Sequence, residues 1–337
     1  MMRISINASV VSKNRSLLFG IGTIFVFLAH SAFIVPMPYM LQVVFGNCAI
    51  WGVRMFFFLS AVGLSYSQRK KKYSYKEYII RRISRIMLPF FCFCIPFYIW
   101  QELWISCRPM HFVTKVLLLE YWINGKGNVW YLSVQMVLYI LFPVIRSCFR
   151  KNGKNAFLFW TGLLTVIAGV IYTINPQYYS TINNTFGSVL AFLLGCFLSD
   201  RIIEGKTISW LVILLGLLTF PLSAILFSGT NIFILYSSAV IGVALCFALA
   251  QVIEVINFQG LNKVLKLIGD NSLQLYLSNV ILIAIAQHYC VAEILKTKGV
   301  SYSGIIVYGI IVIICCSLTK LYNRVIKIQG RGENVAK

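Results

Sequence analysis

Apolar residues fall into ten blocks separated by short polar breaks: 17–34, 46–66, 86–104, 129–149, 157–174, 186–199, 208–226, 232–253, 273–291 and 305–318. A bilayer's hydrocarbon core takes about 20 residues of helix, at about 1.5 Å rise each. Most blocks approach that length, with 186–199 and 305–318 falling furthest short. The pattern predicts an all-α polytopic membrane protein of about ten transmembrane helices. It forms one integral membrane domain, 1–337, with a short N-terminus, 1–16, and a tail, 319–337. Residues 1–14 are polar, and no small-residue cleavage site follows a short apolar core, so the first helix is expected to stay as an anchor.

Composition agrees with the pattern. The chain is 59% hydrophobic and 12% charged, with mean hydropathy +0.82, whereas soluble domains carry about 25% charged residues. The net charge of +21, from 30 Lys and Arg against 9 Asp and Glu, would suggest nucleic acid in a soluble protein. Here the basic residues gather between apolar blocks. With the N-terminus inside and the helices alternating, 24 of the 30 fall on the cytoplasmic face, which predicts both termini cytoplasmic in a multi-pass protein of the cell membrane. The expected partners are the lipid bilayer, particularly anionic lipid, and no nucleic acid. Of the ten cysteines most lie inside apolar blocks, and Cys92 and Cys94 lack the spacing of a zinc or redox pair; no metal site is expected.

A few polar residues interrupt the apolar blocks. His30 lies in the outer half of the first block, about 20 Å above its cytoplasmic boundary. It is either a core histidine bonded across helices or a group placed to act on something outside. Arg54 either snorkels to the interface or faces the same cavity as His30. Arg81, Arg82 and Arg85 enter the third helix. They mark either cytoplasmic topology and lipid headgroups or a cradle for a phosphate-bearing cosubstrate, which guanidinium forks suit. The outer loop 105–128 carries Glu120, Tyr121 and Trp122, suited to a membrane interface or to sugar rings. Gln135 and Tyr139 share a helix face. Gly269–Asp270–Asn271–Ser272 reads as a turn and helix cap, after which Tyr276 and Asn279 share a face.

Five stretches, in order, resemble the membrane acyltransferase-3 family. They are LLFGIGTIFVFLAHS with its single His, GVRMFFFLSAVGL, YIIRRISRIMLPF, NVWYLSVQMVLYILFP and, more weakly, IGDNSLQLYLSNV. The resemblance covers roughly 17–143 and 268–279; between them only the helix count agrees. It implies a membrane-bound O-acyltransferase that moves acetyl from cytosolic acetyl-CoA, a cosubstrate rather than a tightly bound cofactor, onto a sugar hydroxyl of a capsular, exo- or cell-surface polysaccharide. By position His30 would be the catalytic histidine, Arg82 and Arg85, with Arg81, would lie on the CoA side, and Trp130 and Tyr276 would line the core. The chain departs from the family's pattern at three places. Phe19 stands where many members have Arg, with Arg15 one turn earlier; Arg54 replaces an Asp; Asn279 replaces a late His.

O-acetyl transfer needs a base for the hydroxyl proton, or a nucleophile to carry the acetyl, and donors where the oxyanion forms. His30 is the expected base, with Arg54 or Asn279 as candidates for the oxyanion and Glu102 or Glu120 as the nearest acids to orient it. The competing readings are a glycan transporter or polymerase of a polysaccharide locus, and a catalytically weak or non-catalytic member. No paired broken helices in matching halves support a transporter.

Overall fold

The computed structural model describes residues 5–71, 73–226, 232–299 and 302–335. Arg3, Lys72 and Lys337, counted toward the cytoplasmic charge, lie outside the described residues. The bulk of each of the ten apolar blocks lies on a helix. In chain order the helices are α1 (Ser9–Lys13), α2 (Arg15–Ser31), α3 (Tyr39–Lys70), α4 (Tyr75–Tyr98, running into a π-helical segment Ile99–Ile105), α5 (Pro109–Val116), α6 (Glu120–Asn124), α7 (Trp130–Ile174), α8 (Pro176–Ile182), α9 (Asn184–Ile203), α10 (Trp210–Leu226), α11 (Ile232–Ile256), α12 (Gln259–Asp270), α13 (Ser272–His288), α14 (Val291–Thr297) and α15 (Ser303–Val335). The exception to the all-α expectation is a two-stranded antiparallel ribbon that pairs β1 (Ser5–Asn7) with β2 (Thr207–Ser209) and ties the N-terminus to the α9–α10 connection.

By length and composition, six described helices can cross a membrane, or seven if the bent α12–α13 pair is one span. The difference from ten has local causes. Helix α2 is apolar but has only 17 residues. Blocks 129–149 and 157–174 merge in the 45-residue α7, whose backbone leaves helical geometry at Asn152 and Gly153. The turn at Gly269–Ser272 bends α12 against α13 by 69°.

Helix α3 is central: from Met55 to Ser65 every residue is buried, as expected for a helix without a polar face. Helices α2, α9, α11 and α7 pack around it. Close approach depends on missing side chains. A Cβ on Gly269 would stand 1.8 Å from the Ser16 carbonyl oxygen, and one on Gly20 2.2 Å from that of Leu265, so these glycines let α12 lie directly on α2. Helix α4 begins with a capping box: Ser74 Oγ accepts from the Glu77 amide at 3.3 Å, and Glu77 Oε2 accepts from the Ser74 amide at 3.0 Å.

Candidate active site

A cavity of about 880 Å³ opens at the end of the bundle where α2 and α4 begin and α3 ends. Arg15, Arg82 and Arg85 line it, and the two α4 guanidiniums repel that of Arg15 across it. Neither Arg82 nor Arg85 takes part in any of the ion pairs among the described residues. Arg15 Nε donates to the Leu59 carbonyl at 3.2 Å, and its guanidinium lies over Phe19. Gly63 makes room for it, since a Cβ there would meet the guanidinium carbon at 2.3 Å. The one acid on the rim, Asp270, accepts a hydrogen bond from the Ser16 hydroxyl. Among the described residues these three cations have no anionic partner, which leaves the mouth strongly positive.

The deep end is aromatic. Phe19 stacks on Phe56 at 5.6 Å between centroids, Phe56 meets Tyr131 edge-on at 5.9 Å, and Tyr131 meets Tyr276 at 5.7 Å. The Tyr276 hydroxyl donates to the Asn128 carbonyl at 3.2 Å, and its ring centroid lies 6.3 Å from that of His30. His30 therefore sits beside the cavity's floor residue rather than among the cavity-lining side chains, about 22 Å along α2 from Arg15. It is half-buried. Its Nδ1 lies 2.7 Å from Asn279 Oδ1. An amide oxygen only accepts, so Nδ1 carries the proton, and in the neutral ring Nε2 keeps its lone pair.

Several expected placements differ. Arg81 does not line the cavity; its guanidinium lies over the Tyr73 ring at 4.8 Å. Arg54 neither snorkels nor faces the cavity. It is buried, donating to Ser238 Oγ at 3.1 Å, the Asn184 carbonyl at 2.9 Å and Ser188 Oγ. Gly187 and Gly242 leave it that space, because a Cβ on Gly242 would stand 2.5 Å from the Arg54 Cβ. Asn279 turns its Oδ1 to the imidazole of His30. Trp130 stays with the hydrophobic core, packing on Tyr121 at the end of the bundle away from the mouth, where it lines a small recess with Glu120 and Lys115.

Glu102 and Glu120 orient a different histidine. Glu102, buried in the π-helical segment, lies 3.1 Å from His111 Nδ1 and accepts from Lys115 Nζ at 2.5 Å, while Glu120 Oε1 lies 3.0 Å from His111 Nε2. Burial raises the Glu120 carboxyl above its ordinary value, outweighing the pull of Lys115 and His111. The sequence had pointed to Arg15 only as a displaced family arginine; its convergence with Arg82 and Arg85 was not legible. Nor was the cavity position of Gln135.

Helices that enclose a cationic cavity ending beside an imidazole define the protein as a helical, multi-pass membrane protein with an internal polar site. The acyltransferase-3 family model, described as an acyltransferase domain, matches residues 18–321, and the chain belongs to that family of membrane acyltransferases. No curated protein and no solved structure matches it.

Proposed function

We propose that the protein is an O-acyltransferase of the cytoplasmic membrane that moves acetyl from acetyl-CoA to a sugar hydroxyl of a capsular, exo- or cell-surface polysaccharide. The observation that carries this reading is the cavity that runs from Arg15, Arg82 and Arg85 to Tyr276, the ring beside His30. The guanidiniums take the phosphates of CoA and the thioester reaches toward the aromatic floor. This arrangement fits a ten-pass chain with the cavity mouth and both termini in the cytoplasm, where acetyl-CoA is made.

In the reaction His30 Nε2 takes the proton of the acceptor hydroxyl as its oxygen bonds to the thioester carbonyl carbon. The tetrahedral intermediate then collapses, the carbon–sulfur bond breaks, and the departing thiolate receives the proton from the imidazolium. Asn279 holds the ring in the tautomer this requires. Arg15, one turn before the place of the family's usual arginine, supplies a cation to the donor site, while Arg54 has a structural part. The test is labelled acetyl-CoA with purified protein and a glycan acceptor. Label should reach the glycan with wild type and not with His30→Ala; equal transfer by both would remove His30 as base.

A further inference from the structure

Gln135 is 1% exposed, and among the described residues neither its Nε2 nor its Oε1 has a hydrogen-bond partner, although the residue lines the cavity. A buried primary amide with both functions unused is costly unless a ligand completes it. Its place along α7 indicates which part of a ligand would do so. Tyr131, four residues before it, belongs to the aromatic floor. Tyr139, four residues after it, accepts at its carbonyl from the hydroxyl of Tyr78, one turn of α4 from Arg82. Gln135 thus lies between these levels on one helix face, about 6 Å along the axis from each. A donor whose phosphates meet the guanidiniums and whose thioester reaches the floor must lay its connecting arm past Gln135.

We infer that Gln135 is a specificity-determining residue that pairs with a secondary amide in the arm of the thioester donor. Its Oε1 accepts the N–H of that amide, and its Nε2 donates to another acceptor on the arm, since the N–H and C=O of one trans amide point opposite ways. This rests on the acyltransferase reading for the donor's identity and adds the demand that the arm carry a peptide-like amide. Phosphates alone, or a simple alkyl thioester, leave Gln135 unpaired.

The test uses Gln135→Leu, which removes both polar atoms at similar volume, in the full-length protein in detergent. With acetyl-CoA as donor, KM should rise about tenfold or more while kcat changes less than about threefold. S-acetyl-N-acetylcysteamine, which has the amide but no phosphates, should lose a similar factor in kcat/KM. S-acetylethanethiol, which has neither, should be used equally by both proteins. A comparable loss with S-acetylethanethiol, or no loss with acetyl-CoA, would overturn the pairing. Binding gives a readout independent of turnover: the Kd for CoA should weaken about tenfold in Gln135→Leu, and the Kd for adenosine 3′,5′-bisphosphate should not move. An equal weakening of both ligands would overturn the pairing. If wild type binds CoA and transfers no acetyl, the acyltransferase reading fails while the binding comparison still decides the role of Gln135. If wild type fails to bind CoA, the pairing fails as well.

Discussion

Asn279 Oδ1 stands 2.7 Å from His30 Nδ1, joining α13 to α2 across 249 residues of sequence. The contact sets the tautomer of the imidazole, so it separates positioning from chemistry in a way mutants can read. His30→Ala should lower kcat by about 10²–10⁴-fold, the usual worth of a general base. Asn279→Leu, which leaves the ring in place without its acceptor, should lower kcat by about tenfold with little change in donor KM. Asn279→Asp restores an acceptor oxygen and should recover part of that loss. A donor KM that moves as much as kcat in Asn279→Leu would assign the residue to packing instead.

The arginines of α4 should behave unequally. Arg82 and Arg85 line the cavity, whereas Arg81 lies over Tyr73. Charge-assisted bonds are worth about 1.5–3 kcal/mol each, so Arg82→Ala or Arg85→Ala should raise the KM for acetyl-CoA by about 10- to 100-fold. Arg81→Ala should leave it within about twofold. Steady-state kinetics with the three variants decides this, and an Arg81 effect equal to the others would contradict the geometry.

Arg54 poses a question of magnitude. It is buried and has only neutral acceptors, and Ser188 Oγ and Ser238 Oγ already donate to the Asn184 and Leu235 carbonyls. Removing the cation by Arg54→Met therefore strands little and relieves a desolvated charge. The melting temperature should stay level or rise, and kcat/KM should stay within about threefold. Gly242→Ala does the opposite, driving a Cβ to 2.5 Å from the Arg54 Cβ. It should cost about 1–3 kcal/mol, seen as a lowered melting temperature in detergent.

Glu120 gives a pH signature. Burial raises its carboxyl in the folded protein, where Lys115, Glu102, His111 and Arg108 also act on it. The folded state therefore keeps that proton to higher pH than the unfolded chain does. The stability this confers is complete below the unfolded carboxylate value and is lost as pH rises through the folded one. Glu120→Gln cannot ionise. Its melting temperature should match wild type in acid and exceed it increasingly toward neutral pH. A thermal-unfolding series from pH 4 to 8 checks this; a gap that stays constant with pH would rule it out.

The bulk of each of the ten apolar blocks lies on a helix, and the turn at Gly269–Ser272 is where the chain bends. These features were legible because hydropathy and turn chemistry act within a few residues. The place of His30 on α2 and the basic entry to α4 belong to the same local order. Pairings between remote segments were not legible. Glu102 and Glu120 turn to His111, Arg54 is enclosed by α9 and α11, and Arg15 joins Arg82 and Arg85. The stretch of α3 from Met55 to Ser65, buried on every side, carries no polar face to say which neighbour it meets. The contacts of α3 are chosen instead by where missing side chains let backbones close, as at Gly52 against the Gly22 carbonyl and Gly195 against the Phe58 carbonyl, and that choice exists only once the helices are packed.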